Sequence, residues 1–217
     1  MSTSYTQLYD YIRSASENDD TEFAAAIPTF IDQTRMRLSR DIDTYGFVVY
    51  TTVAVSTYLV SVPSDALVLK NVTYVSAGRY SQLIMRTDEF LREYWPQRTS
   101  VGEPKYYARW GYNQILVAPA PSTSASLEIS YVQIPTSIGS VGTSTNWLTE
   151  YAPEALFYGC MQEACMFMKN YQAAALWEGK YQDAVGKLRN EARRTRQDDN
   201  LNNNSPAGGD NTLQGSV

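Results

Sequence analysis

The sequence predicts an α+β fold in which a helical bundle is interrupted by an inserted antiparallel β domain and followed by a flexible C-terminal arm. Three observations carry that expectation. Apolar residues recur at helical spacing at both ends of the chain. Between them the period shortens to two, in runs rich in β-branched and aromatic residues. After residue 196 the composition turns to Asn, Asp, Gly and Pro. With 217 residues, of which 43% are hydrophobic, the chain can bury a core without metal or disulfide help.

Taken in order, Tyr5, Leu8, Tyr9 and Ile12 fall at i, i+3, i+4 and i+7, one stripe of a short helix over Ser4 to Ala15, which the polar run Glu17 to Asp20 ends. A second helix is expected over Pro28 to Asp43, with Pro28 in the first turn, where its missing N–H has no partner to lose. Its stripe is Ile31, Thr34, Leu38 and Ile42, and Arg35, Arg37 and Arg40 lie off it, solvated or paired. Past Gly46, strands are expected at Phe47–Val55, Tyr58–Val62, Leu67–Ser76, Ser81–Arg86, Lys105–Arg109, Gln114–Ala118 and Ser126–Gln133. Pro63, Ala77-Gly78, Gly111 with Asn113, and Pro119 to Pro121 separate them. One helix, Asp88 to Tyr94, interrupts the series with Thr87 as N-cap and Asp88 and Glu89 favoured by the helix dipole.

Helical spacing returns at Asn146, with Pro153 again placed for a helix start and Leu156, Phe157, Cys160, Met161, Ala164 and Phe167 behind it. A last helix over Tyr171 to Thr195 carries Ala174, Leu176, Trp177, Tyr181, Ala184, Val185, Leu188 and Ala192. These boundaries give a helical bundle from 1–46 and 145–196, an inserted β domain at 47–144 and an arm at 197–217. The arm is too poor in apolar groups to offset the entropy of ordering in the free monomer.

Composition excludes most chemistry. The chain has no histidine, which removes imidazole bases and the metal sites built on them, so no cofactor and no metal are expected. Cys160 and Cys165 are five helical residues apart, about 7.5 Å of rise, beyond disulfide reach; two reduced, buried thiols are expected. The loop Gly139-Ser140-Val141-Gly142-Thr143-Ser144 lacks the lysine and the spacing of a P-loop and reads as a flexible linker. The acid pairs Glu150 with Glu154 and Asp41 with Asp43 sit at helix ends, where charge is accounted for without catalysis. No enzyme is expected, and a muralytic activity ranks last among the readings. The N-terminus lacks the basic flank and apolar run of a signal peptide, and no stretch has about 18 apolar residues, so a soluble protein made in a cytoplasm is expected. A net charge of −5 disfavours general nucleic-acid binding.

Tyrosine is abundant, 17 in all. Tyr106, Tyr107, Trp110 and Tyr112 gather around one expected hairpin and suggest a subunit contact or, as an alternative function, a carbohydrate-binding β module; ordinary packing of a β domain explains them as well. At the other end, Arg193, Arg194 and Arg196 before the arm and Leu201, Leu213 and Val217 within it are candidate partner-binding residues.

Several segments recur in a recognisable order. They are Ile27-Pro28-Thr29-Phe30-Ile31 leading to Arg35-Met36-Arg37-Leu38-Ser39-Arg40-Asp41-Ile42, then Val62-Pro63-Ser64-Asp65-Ala66-Leu67, Gly102-Glu103-Pro104-Lys105-Tyr106-Tyr107, Ile115 to Pro121, Leu127 to Tyr131, Thr145-Asn146-Trp147-Leu148, and Leu156-Phe157-Tyr158-Gly159 before Glu163-Ala164. From Ile27 to Arg194 the chain resembles the head-to-tail connector, or adaptor, family of tailed bacteriophages. The resemblance implies a structural virion protein at the head-to-tail interface, assembled with itself as a ring of usually twelve subunits beneath the portal. It implies a portal protein on one side, a tail nozzle or tail tube protein on the other, and transient passage of DNA through the ring without sequence-specific binding. No membrane partner and no catalytic residues come with it. An acidic lining suits such a conduit, since it repels phosphate where a basic one would hold it.

Overall fold

A computed structural model describes residues 3–121, 125–138 and 145–201, the last seven by backbone alone. The fold is α+β, with six α-helices and two four-stranded sheets among the described residues. The chain divides into two compact units, Met1–Thr44 with Ile138–Val217 and, separately, Tyr45–Ser137.

In the helical unit, α1 (Tyr5–Ser16) opens with a reciprocal cap. Gln7 N donates to Ser4 Oγ at 3.3 Å and Ser4 N donates to Gln7 Oε1 at 2.9 Å, which satisfies two backbone groups that a helix start leaves without partners. Glu17 then takes a left-handed φ of 49° and stops the helix.

Helix α2 spans Thr21–Asp41, so it starts seven residues before Pro28, and the expectation of a proline-led start is corrected. An interior proline costs about 3 kcal/mol. The early start buries Phe23 and Ile27, each stabilising by about 1.5–3 kcal/mol, and Phe23 meets Phe30 and Phe167 at ring distances of 5.9 and 6.0 Å. Pro28 lacks the N–H that would have bonded the Ala24 carbonyl; the Tyr9 hydroxyl of α1 donates to that carbonyl instead, at 3.4 Å. Burial and this substitute donor outweigh the proline.

Helix α4 (Trp147–Tyr151) is capped by Asn146, and Pro153 opens α5 (Pro153–Phe167), where its missing donor is harmless. Asn170 Oδ1 accepts from Ala173 N at 3.2 Å to start α6 (Tyr171–Leu201). Helix α6 passes the expected end at Thr195, so 197–201 are helix and not arm. The Gly139–Ser144 linker and the remaining arm, 202–217, lie outside the described residues.

Three of these helices meet at Gly159, where an added Cβ would stand 2.4 Å from Thr34 Cγ2 and 3.3 Å from Tyr181 Cδ2. Only glycine lets α5 approach α2 and α6 this closely.

The β unit opens with a 3₁₀ turn at Tyr45–Phe47, so the first strand starts one residue later than expected. Its strands are β1 (Val48–Val55), β2 (Leu59–Ser61), β3 (Ala66–Ser76), β4 (Arg79–Gln82), β5 (Ile84–Met85), β6 (Tyr106–Arg109), β7 (Gln114–Ala118) and β8 (Ala125–Gln133), with α3 (Asp88–Tyr94) between β5 and β6. The expected Ser81–Arg86 strand is split, because Leu83 turns inward and its N–H bonds Val72 O at 2.8 Å. One sheet runs β1-β8-β3-β4, antiparallel throughout; the other runs β2-β7-β6-β5, and its β5–β6 pair is parallel, a departure from the purely antiparallel expectation. Val72, Tyr74, Leu127 and Ile129 from the first sheet pack on Val60, Tyr107, Ile115 and Val117 from the second. The β3–β4 hairpin turns on Ala77 and Gly78, both at positive φ (49° and 78°), the handedness that matches strand twist.

Gly159→Ala should lower thermal stability by about 1–3 kcal/mol through overpacking. Gly179→Ala, whose Cβ meets nothing within 4 Å, should raise it by up to about 1 kcal/mol through helix propensity. Paired melting curves against the native chain check both.

Candidate interaction surfaces

The aromatic residues singled out in the sequence are separated by strand alternation. Tyr107 on β6 points into the sandwich and is 5% exposed; burial raises its phenol pKa. Tyr106, its neighbour, points to the opposite side, where α3 lies across the second sheet. There Leu91 packs on Ala108, Leu116 and Ala118. Tyr106 meets Phe90 and Trp95 at 5.6 and 5.5 Å. Trp110 carries the guanidinium of Arg98 at 4.6 Å and that of Arg92 at 5.4 Å, and Arg92 pairs with Asp88. Tyr112 is 76% exposed at the tip of the β6–β7 hairpin, beside Gly111 at a φ of 71°. The four residues therefore do not form one surface. Guanidinium groups and neighbouring rings already lie against Trp110 and Tyr106, the faces on which a sugar ring would stack. The sequence grouped Tyr106 and Tyr107 in one cluster; the strand sends them to opposite faces, and on one of these α3 adds Phe90, Tyr94 and Trp95.

In the helical unit, Arg37 organises the strongest polar cluster. Its guanidinium donates to both carboxylate oxygens of Glu178 (2.9 and 2.6 Å) and to Gln162 Oε1 (2.8 Å), and it lies 4.2 Å from the Tyr181 ring centre. Tyr181 donates to Asp41 Oδ2 at 2.7 Å, and Arg189 Nε donates to the Asp41 carbonyl at 2.7 Å. The hydrogen bond from Arg37 holds the Glu178 carboxyl below its ordinary range, and Arg37 is raised in turn. Burial, then the Asp41 hydrogen bond, push the Tyr181 phenol up. The expectation that Arg37 is solvated or paired resolves to paired. Asp41 is fully engaged here, and Glu150 accepts from Thr145 Oγ1 at 3.0 Å. Among the described residues no group of three His, Cys, Asp or Glu could hold a metal ion. Cys160 and Cys165 are free and buried, and burial pushes the Cys160 thiol up to about 12.

A second aromatic group crosses α1, α5 and α6. Tyr11, 64% exposed, meets Phe157 edge-on at 5.6 Å, Phe157 meets Trp177 at 5.8 Å, and Lys180 lies 4.4 Å from the Trp177 ring centre. Arg193 and Arg194 are exposed on the last described turns of α6. The α6 backbone carries Arg196 and Leu201, whose side chains lie outside the described residues, as do Leu213 and Val217. No helix among the described residues is long and apolar enough to cross a membrane.

The charge is unevenly shared. Tyr45–Ser137 holds seven basic and six acidic residues, leaving 11 basic and 17 acidic for the rest, so the β unit is at +1 and the helical unit at −6.

A family model for the SU10 adaptor protein matches residues 3–207, nearly the whole chain and parts of both units. The chain belongs to the SU10 adaptor protein family. Comparison with curated proteins gives no match. Membership makes this chain a structural adaptor of a bacteriophage, in agreement with the resemblance read from its segments. For an SU10 adaptor the polar cluster at Arg37 is structural: it joins α2, α5 and α6.

Glu178→Gln should cost about 1 kcal/mol at neutral pH, discounted because both partners are partly exposed. The carboxyl is depressed in the folded state, so its contribution is full above the ordinary carboxylate range and is lost as pH falls through the lower folded value. The gap between native and variant melting temperatures should therefore close on acidification; a gap unchanged by acid would show that the charge is not what stabilises.

Proposed function

We propose that this adaptor is a ring subunit of a head-to-tail connector, joining the portal of the phage head to the tail and enclosing part of the channel through which DNA leaves. The family match over residues 3–207 is the observation that supports it. The uneven charge is compatible: a helical unit at −6 repels the phosphate backbone, whereas a basic wall would retain DNA by counterion release. Its partners on this reading are itself, probed as a ring of twelve, a portal protein, and a tail nozzle or tail tube protein. Electron microscopy of the purified chain mixed with its portal should show one adaptor ring on the portal's tail-facing end, with symmetry read from class averages. A chain that neither forms rings nor binds the portal is not an adaptor of this kind.

The reading carries no enzymatic step. The purified chain should release no product from nucleotides, peptides or peptidoglycan, and turnover abolished by Glu150→Gln or Glu154→Gln would overturn that part of it.

The C-terminal segment is the proposed portal-docking arm, with Arg193, Arg194 and Arg196 meeting acidic surface and Leu201, Leu213 and Val217 as apolar anchors. Sixteen residues, 202–217, would reach at most about 53–58 Å if fully extended, enough to cross a neighbouring subunit. Deleting 202–217 should leave the melting temperature within about 2 °C yet reduce attachment to the portal in a co-sedimentation assay. Undiminished attachment would remove the arm from the proposal.

A further inference from the structure

The first sheet has one edge that is unlike the others. Sheet edges offer unpaired backbone N–H and C=O groups, and proteins guard them with short strands, charges, prolines or bulges. Among the described strands, three edges are guarded by brevity: β4 has four residues, β2 three and β5 two. Strand β1 has none of these guards. Its eight residues, Val48-Val49-Tyr50-Thr51-Thr52-Val53-Ala54-Val55, contain no charge, proline or glycine. They pair with β8 in unbroken register from Val48↔Val132 to Val55↔Ala125, whereas β3 on the far side of β8 shows two register shifts. Among the described residues, none of Val48–Val55 makes a hydrogen bond outside its ladder with β8. The result is an unbroken, uncharged edge about 27 Å long, on which Tyr50 is 67% exposed.

We infer that β1 is a strand-addition edge and that its occupant is β4 of a second copy of this chain, so that copies join head to tail through the two ends of the same sheet. This rests on the ring reading above and specifies one of its joints. Three features favour β4 over other strands. The sheet has four strands in strict antiparallel alternation, β1-β8-β3-β4. An even number means that setting a second copy alongside in the same orientation brings β4 against β1 antiparallel, and the alternation continues across the joint. Strand β4 is the opposite edge of that sheet, and among the described residues the backbone of Arg79–Gln82 bonds only within its ladder with β3. The faces also agree. Tyr50, Thr52 and Ala54 lie on the side of the sheet marked by Ser130, Glu128 and Ser126, and through Thr73↔Gln82 and Val75↔Tyr80 the β4 residues Gln82 and Tyr80 lie on that same side. Tyr80 is 67% exposed, as Tyr50 is. A continued sheet places hydroxyl, amide and phenol side chains next to one another on one face, the cross-strand pairing that stabilises sheets. Because the joint uses opposite edges, it is heterologous, the kind of contact that generates rings when its rotation closes.

The test uses the full chain assembled alone or on its portal. Thr52→Cys with Gln82→Cys, treated with a thiol-bridging reagent, should give a ladder of covalent multimers from the assembled sample. Neither single variant should cross-link, and the buried native cysteines should leave the unsubstituted chain unbridged. Hydrogen exchange on the unsubstituted protein gives an independent readout: the β1 amides that face away from β8 and lie opposite the four residues of β4 should slow at least about tenfold on assembly, and the outward amides of Arg79–Gln82 with them. Cross-linked dimers from Thr52→Cys alone would mean that β1 pairs with itself about a two-fold axis, and would overturn the head-to-tail joint. Protection of β1 only when a tail component is added would give the edge to another protein. Rings seen by microscopy with β1 unprotected and no ladder would end this inference while leaving the ring reading in place. Failure of the native chain to form rings even on the portal would end both.

Discussion

Closure of the helical unit around Gly159 is the constraint on which the rest of the chain depends. Helix α2 precedes the β unit and α5 and α6 follow it, so every contact between them closes a loop through the whole insertion. The Arg37–Glu178 pair joins residues 141 apart in sequence, and closing a loop of that length costs at least roughly 4 kcal/mol in chain entropy. One partly exposed ion pair, at about 1 kcal/mol or less, cannot hold it shut. Burial does: Phe30, Ile31, Leu38, Leu156, Met161 and Tyr181 are each at most 5% exposed, and each contributes about 1.5–3 kcal/mol. Thr34, Gly159 and Tyr181 set how closely the helices approach, and the Arg37, Asp41 and Arg189 hydrogen bonds then fix their register. The polar cluster selects one arrangement of a contact that apolar burial drives.

Much of this was legible in the sequence, because the hydrophobic period changes where the chain changes unit. The strand at Gln114–Ala118 and the helix at Asp88–Tyr94 with its Thr87 cap have the bounds that alternation and capping chemistry predict. What failed were local rules overridden by tertiary partners. Pro28 reads as a helix start only if nothing N-terminal to it is buried and no outside donor reaches Ala24; α1 supplies the donor and Phe167 the apolar neighbour. Thr34 stood on the expected stripe of its helix, but its partner was not legible, because Gly159 looks like a weak helix residue until both are known to share one crossing.

The same limit applies to the candidate surfaces. A sequence cluster such as Tyr106 to Tyr112 measures proximity along the chain, and a strand sends successive residues to opposite faces. Tyr107 therefore went to the sandwich core, Tyr106 and Trp110 to the side covered by α3, and Tyr112 to a hairpin tip. The unguarded character of β1 could not be read at all from residues 48–55 alone, since an uncharged, β-branched run is equally the mark of a central strand. Only the sheet order, with β1 at the end of it, turns the same composition into an edge.

Charge gives that edge its physical setting. Copies of an acidic chain brought together in a ring repel one another, and the repulsion is strongest where their charged surfaces come within a Debye length, about 8 Å at physiological salt. Here the acidity belongs to the helical unit at −6, while the β unit is nearly neutral and its longest edge carries no charge. A joint made through backbone hydrogen bonds along β1 brings no like charges together on that strand, and its strength does not depend on salt bridges that ions would screen. The acidic helices would then not be needed to hold neighbours through that joint. On the proposed joint, a chain whose charge is segregated from its sheet edge can meet its neighbour along a strand while its net negative charge stays on the helical unit.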